Sequence, residues 1–391
     1  MARLWEKGYN LEKQIEKYTV GNDYILDTKL MKYDCIASIA HAKMLHRIGF
    51  LNENETKKLI KGLEEIIALD KKGKFKIKRN EEDCHTAIEN YLTKNLKDTG
   101  KKIHFARSRN DQILTALRLY EKDELKEVRK KTDELIKTIK EFSSEYHNIQ
   151  LPGYTHTRKA MPSSIGLWAD SFVDALKDDL KSVDFSYALI DQCPLGTGAG
   201  YGLPIKVDRK FTAKELGFRK IQKNSIYAQN SRGKFEGTIL NSLSQIMFDL
   251  NKISSDVILF SMPTEGYFEL PRELCTGSSI MPHKKNPDAL ELMRANYHVV
   301  NSYESRVKNI IGNLPSGYNR DLQLTKEPII KGFDIIKESL SVMSLILRKL
   351  KVNEENCRKA LTNELYSVKE AYNLAEKMPF REAYKKISRN Y

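Results

Sequence analysis

The feature that most constrains this chain is an apolar seam too long for an ordinary globular helix. Leu125, Val128, Thr132, Leu135, Ile139, Phe142 and Tyr146 recur at alternating steps of three and four residues. That is the spacing of a helix packed along one stripe, and it predicts a helix from about Asp111 to Tyr146. Proline placement marks out others. None of the 11 prolines precedes Pro152, and the stretch after Pro162 has none until Pro194. A third run extends from about Ser231 to Met262. A fourth opens at Pro287, a good first-turn residue, and ends near Gly312. A fifth spans about Lys326 to Leu350, with Pro328 in its first turn. Helices of 25 to 35 residues are roughly 40–50 Å long and need partners along their whole length, which predicts a five-helix bundle that associates with copies of itself.

The rest of the chain is subordinate to that bundle. The first hundred residues read as shorter helices with polar breaks at Asn52 to Glu55 and Lys71 to Asn80, closed by Gly100. Strand signals are sparse, and Tyr201 to Val207 is the best of them. Residues after Lys351 read as a small helical appendage. The expected fold class is therefore all-α: a central bundle at 107–350, a helical domain at 1–106 and a short helical segment at 351–391.

Composition excludes several functions. Hydrophobic residues make up 40% of the 391 and charged residues 30%, so a large core forms and wholesale disorder does not. No segment holds the roughly 20 apolar residues of a membrane span. The stretch Met1 to Leu11 carries Arg3, Glu6 and Lys7 and lacks the apolar run of a signal peptide. Cys35, Cys84, Cys193, Cys275 and Cys357 are scattered and never in CxxC spacing, which argues against a disulfide framework or structural zinc and for a reducing, cytoplasmic setting. The formal charge of +14 is spread along helical segments with no basic arm and no aromatic–basic interleaving. It reads as a solvated lysine-rich surface that favours an anionic small substrate rather than nucleic acid. His41, His46, His147 and His298 read as structural histidines. No Rossmann or phosphate-loop glycine pattern is present.

Three loops interrupt the helical pattern with polar groups that a bundle core would not choose. The strongest runs from Gly277 through Ser278, Ser279, Ile280, Met281, Pro282, His283, Lys284, Lys285 and Asn286 to Pro287. Lys284 and Asn286 supply a charge and a donor just before the helix opened by Pro287, whose N-terminus adds positive potential. The arrangement suits a carboxylate that gains charge during reaction. The alternative is an ordinary helix-entry loop in which Ser278 caps backbone.

This string resembles the signature of the fumarase/aspartase superfamily. The stretch 151–162, with Gly153-Tyr154-Thr155-His156 inside it, and the stretch 102–112, with Ser108-Arg109-Asn110-Asp111-Gln112, resemble the forms typical of the argininosuccinate lyase family. Matches also occur at Asp83 to Glu89, Cys193 to Gly198 and Leu314 to Gln323, so the resemblance covers nearly the whole chain in order and spacing. It implies a β-elimination that splits argininosuccinate into arginine and fumarate through an aci-carboxylate carbanion. It implies a homotetramer with active sites shared between subunits, and neither a metal nor an organic cofactor. Ser278 falls at the family's general base; a free hydroxyl needs nearby positive charge for that work, and Lys284 and the loop amides can provide it. Lys284 and Asn286 fall where the carbanion is stabilised. His156, paired in family terms with Glu291, falls where protons are handled at the leaving nitrogen. Arg109 and Asn110 match the binders of the succinate carboxylates, where a planar guanidinium fork suits a carboxylate, and Thr155 adds a hydroxyl. Tyr318, Gln323 and Lys326 match substrate-holding positions, Asp83 and His85 fall near the site, and Asp27 falls at the arginine end.

The chain departs from the family pattern at Leu4 to Tyr9, at Gly21, at His283 and after Pro379-Phe380-Arg381, where many relatives continue for a further segment. Two competitors remain. Another fumarate-releasing lyase, such as adenylosuccinate lyase, would need a different second region than Gly153 to His156. A non-catalytic crystallin-like relative would be marked by substituted site residues, and Ser278, Lys284, Asn286 and His156 all stand.

Overall fold

Five long helices dominate the computed structural model, which describes residues 11–391 and is 69% helical. They are Arg109–Tyr146, Ile165–Ile190, Lys234–Phe260, Asp288–Ile311 and Lys326–Lys349, within four residues of the sequence boundaries at each end. The seam that predicted the first of them turns inward: Leu125, Val128, Thr132, Leu135, Ile139 and Phe142 are all buried. Shorter helices precede the bundle at Met31–Arg47, Glu53–Lys71 and Cys84–Leu96. The polar break at Asn52 is a capping box. Its side chain accepts from the Glu55 amide at 2.9 Å, and Glu55 reaches back to the Asn52 amide at 3.1 Å. The N-terminal departure at Leu4 to Tyr9 lies outside the described residues.

The chain divides into two compact units. Among the described residues the first comprises 11–127, Val183–Ser242 and Asn301–Asp334. Within it the Tyr120 ring meets Tyr33 and Phe333 edge-on, at 5.7 and 5.9 Å between centroids, and Leu117, Phe235, Ile239 and Ile330 are buried. A satellite cluster joins Ala40, Cys193, Leu195, Ala213, Leu216 and Phe218. His41 and His46 each meet a backbone carbonyl, that of Phe105 at 2.8 Å and that of Leu51 at 2.9 Å, as expected of structural histidines.

The second unit comprises Val128–Ser182, Leu243–Val300 and Ile335–Tyr391. Its aromatic centre is Trp168, whose ring contacts Phe142, Phe172, Phe260 and Phe268 and whose indole N–H donates to Asp256 at 2.9 Å. Truncating such a residue typically costs about 3–5 kcal/mol. The residues after Lys351 form short helices at Glu354–Lys359, Ser367–Ala375 and Phe380–Ile387.

Strand placement differs from the sequence expectation. Tyr201 to Val207 is not a strand. Gly198, Gly200 and Gly202 all take positive φ, and Pro204 offers no N–H, so the segment turns instead of extending. The substantial ribbon is an antiparallel hairpin, Gln150–Thr155 with Arg158–Ser164. Pro152 sits opposite Pro162, and a two-stranded ribbon tolerates both because each strand is an edge. Those prolines had marked the segment as a loop.

Candidate active site

In the first unit a cavity of about 140 Å³ is lined by Asp23, Asp27, Asp83, His85, Arg109, Asn110, Ile113, Arg232, Tyr318, Arg320, Gln323 and Lys326. Eight of these are residues that the resemblance singles out. Asp83 caps the Cys84–Leu96 helix, accepting from the Thr86 amide at 2.9 Å, and its other oxygen holds Arg109, which Glu82 also approaches at 3.5 Å. Burial opposes ionisation of Asp83, yet His85 and Arg109 hold its carboxyl down to about 2. Lys326, the first residue of the fifth long helix, is buried between Asp27 at 2.7 Å and Asp23 at 2.9 Å. Burial opposes its charge, but the two aspartates raise its pKa. Burial also pushes Asp23 up to about 6 against the pull of Lys326. Gln323 and Arg320 donate to the Thr19 carbonyl at 3.1 and 2.9 Å. The Tyr318 ring lies 5.8 Å from the Arg232 guanidinium.

Behind the cavity wall is a side chain that sequence reasoning missed. Asp34, fully buried on the Met31–Arg47 helix, meets His85 Nδ1 at 2.6 Å and accepts from Gln112 Nε2 at 2.9 Å. Burial opposes both charges of the pair, but each partner favours the other's charged form: Asp34 is held below the carboxylate range and His85 is raised. Asp23, Arg232 and Arg320 were likewise not anticipated. The one signal for Asp34 was a carboxylate amid the small and apolar residues Cys35, Ala37, Ala40 and Ala42.

The Asp111 position explains two other sequence matches. One oxygen accepts from the Ser108 amide at 2.9 Å; the other accepts from the amides of Gly196 and Gly198 at 3.0 and 2.8 Å. The 102–112 stretch is thereby tied to the Cys193–Gly198 stretch. Burial pushes Asp111 up to about 6 despite these three donors. Gly198 has φ of 60°, and a Cβ there would stand 2.8 Å from the Gly202 carbonyl oxygen.

In the second unit the 277–287 loop gathers Ser278, Lys284 and Asn286. Asn286 and Thr276 exchange backbone hydrogen bonds at 3.0 Å and close the loop, and Asn286 Nδ2 donates to the Gly277 carbonyl at 3.2 Å. The Ser278 hydroxyl accepts from the amides of Met281 at 3.1 Å and Ile280 at 3.3 Å. These contacts cap the backbone, and the same two donors would favour an alkoxide at that oxygen. Lys284 is exposed, as is Glu291 in the first turn of the fourth long helix.

Thr155 and His156 stand exposed at the tip of the 150–164 hairpin. The tip is a two-residue turn in which His156 and Thr157 take φ of 52° and 58°. Hairpin turns of this hand prefer Asn-Gly. A non-glycine residue there costs on the order of 1–3 kcal/mol, and such strain concentrates at working sites. Among the described residues no hydrogen bond or ion pair joins His156 to Glu291.

Asp27, Cys84 and His85 bring three possible metal-ligand atoms within 4.8 Å of one another. Asp27 already receives Lys326 and the Cys84 amide, and His85 Nδ1 donates to Asp34. A cation there would compete with an ammonium group and an ion pair.

A family model described as "Lyase" matches residues 12–301. The chain is 53% identical over 390 residues to argininosuccinate lyase of Thermotoga neapolitana, covering 100% of this chain and 98% of that one. It is 42% identical over 386 residues to argininosuccinate lyase of Phocaeicola vulgatus, covering 98% and 86%. Among solved structures it is similar to class II fumarase from Schistosoma mansoni, with a TM-score of 0.84, 17% identity and coverage of 98% and 89%. It is also similar to EDDS lyase in complex with formate, with a TM-score of 0.82, 22% identity and coverage of 98% and 76%. Those two likenesses show the all-α, long-helix fold. With whole-chain identity above half to one argininosuccinate lyase and a lyase model across most of its length, this chain belongs to the argininosuccinate lyase family of the fumarase/aspartase superfamily.

Proposed function

We propose that this protein is an argininosuccinate lyase that releases fumarate and L-arginine and serves arginine biosynthesis in the cytoplasm. The observation that carries the reading is the cavity of the first unit. Asp27, Asp83, His85, Arg109, Asn110, Tyr318, Gln323 and Lys326 come from four separate stretches of sequence, and all eight line one space.

The difficult step is loss of a carbon-bound proton beside a carboxylate. Ser278 takes that proton, with its alkoxide supported by loop amides and by the charge of Lys284. The aci-carboxylate that forms carries more negative charge than the substrate, so donors aimed at it speed the reaction more than they tighten binding. Lys284 and Asn286 fill that role, and removing one such donor typically costs about 3–4 kcal/mol of barrier. His156, with Glu291 as its carboxylate partner, delivers a proton to the leaving nitrogen. Arg109, Asn110 and Thr155 hold the succinate part. Tyr318, Gln323, Lys326 and Asp27 hold the rest of the substrate, with Asp83 and His85 supporting. The working form is a homotetramer whose active sites are shared between subunits, and no step calls on a metal or organic cofactor.

The test is absorbance at fumarate wavelengths with purified protein and argininosuccinate, beside adenylosuccinate, malate and aspartate, with and without a chelator. Fumarate from argininosuccinate alone, undiminished by the chelator, is the expected result. Fumarate from adenylosuccinate alone would move the assignment to that lyase. No fumarate from any substrate would favour a crystallin-like role.

A further inference from the structure

The hairpin tip that carries His156 is strained, and strain persists only where the surroundings hold it. The second unit contains a candidate restraint two residues from the imidazole. Tyr154, just where the ladder shifts register between Gly153 and Tyr154, places its hydroxyl 2.9 Å from Glu265 Oε2 and 2.8 Å from the Tyr267 hydroxyl. Tyr267 donates to the same carboxylate oxygen at 2.5 Å. Lys159, on the returning strand, stands 3.8 Å from it. The Tyr267 hydrogen bond holds Glu265 ionised, below its usual range. Two hydroxyl protons therefore serve three short edges, and Tyr154 donates either to Glu265 or to Tyr267.

The anchor end is fixed independently. Tyr267 is buried and packs on Phe260 at the end of the third long helix, with ring centroids 5.7 Å apart. Its carbonyl accepts from the Asn353 amide at 2.8 Å, and Asn356 donates to the Gly266 carbonyl at 3.0 Å. Gly266 has φ of 59° and would bring a Cβ within 2.7 Å of Asn356. The stretch between Phe260 and the 277–287 loop is thus pinned by the first residues of the C-terminal segment, and Glu265 projects from it to the hairpin.

We propose that Glu265, with Tyr154 and Tyr267, is the positioning brace that holds the His156 hairpin tip in its working geometry and fixes it to the segment leading to the Ser278 loop. None of the three side chains needs to touch substrate. Their effect passes through the placement of His156, so the inference rests on the role proposed for that residue. A misplacement of about 1 Å at a reacting group can cost on the order of 100-fold in rate, whereas carboxylate binding by other residues is untouched.

The experiment uses the full-length protein with Glu265→Gln, Tyr154→Phe, Tyr267→Phe and His156→Asn, each checked for native mass and thermal midpoint. In Glu265→Gln, kcat should fall at least tenfold with KM within twofold. The solvent deuterium isotope effect on kcat should rise, because proton delivery at nitrogen becomes slower. The Tyr154→Phe change should act in the same direction, and its loss combined with Glu265→Gln should be far less than the product of the two, as for residues acting as one unit. Tyr154→Phe removes a single oxygen, so it carries the test if Glu265→Gln folds poorly. Wild-type kcat and isotope effect in Glu265→Gln and Tyr154→Phe, beside an inactive His156→Asn, would overturn the brace alone. Wild-type turnover in His156→Asn would overturn the role of His156 itself, and the brace with it.

Discussion

In the proposed mechanism Ser278 is the residue on which the chemistry turns. As the proposed base it would act on the carbon-bound proton only as that proton leaves, so its contribution would belong to the transition state. Ser278→Ala should nearly abolish kcat while isothermal titration still detects substrate binding; a folded variant with near wild-type turnover would move the base elsewhere, first to His156. Asp34 and His85 give a prediction in pH. The raised pKa of His85 means that its charged-form stabilisation is complete below the ordinary histidine value and is lost as pH rises through the raised value. The depressed pKa of Asp34 means the reverse on the acid side: its share is complete above the ordinary carboxylate value and is lost as pH falls through the depressed value. The gap in thermal midpoint between wild type and Asp34→Asn should therefore be widest between about pH 5 and 6.5 and should narrow in alkali. Breaking one partner of a buried pair costs about 3–5 kcal/mol; a gap that does not vary with pH would remove the ion pair from the account. Asp34 also marks a limit of sequence reading. A lone aspartate on a helix looks like a solvated surface group, and nothing in its spacing says that Gln112 and His85 close over it.

Among the elements, the long helices were legible because sustained periodicity and proline absence both report on one thing, a stripe packed along its length. The hairpin was not, because Pro152 and Pro162 argue against strands unless one knows that they face each other in a ribbon with two free edges. The Asp111 junction shows a different kind of partial legibility. Motif resemblance drew attention to 108–112 and 193–198, but it did not say that Asp111 joins them. Asp111→Ala should orphan the part-buried amides of Ser108 and Gly196 and the buried amide of Gly198. At about 1–3 kcal/mol for an unpaired buried group, less whatever water recovers, a loss of about 3 kcal/mol is expected. Chemical denaturation of the variant checks it, and an unchanged midpoint would mean that the two stretches hold together without this carboxylate.

If active sites are shared between subunits, two inactive variants with lesions in different loops can complement. Mixing His156→Asn with Ser278→Ala under conditions of subunit exchange should restore part of the activity, measured by fumarate absorbance; demonstrated hybrids that stay inactive would show that one subunit supplies both loops. The molecule's net charge of +14 attracts anions from a distance, but two of the cations lining the cavity of the first unit are already matched: Lys326 to Asp23 and Asp27, Arg109 to Asp83 and Glu82. An arriving dianion therefore finds these two cations occupied. To pair with either, it must trade places with resident carboxylates, as a counterion does on an exchange resin. Selectivity then depends on how well a ligand's shape permits the swap, and bulk salt should slow capture of substrate more than it weakens the substrate's hold once the exchange is complete.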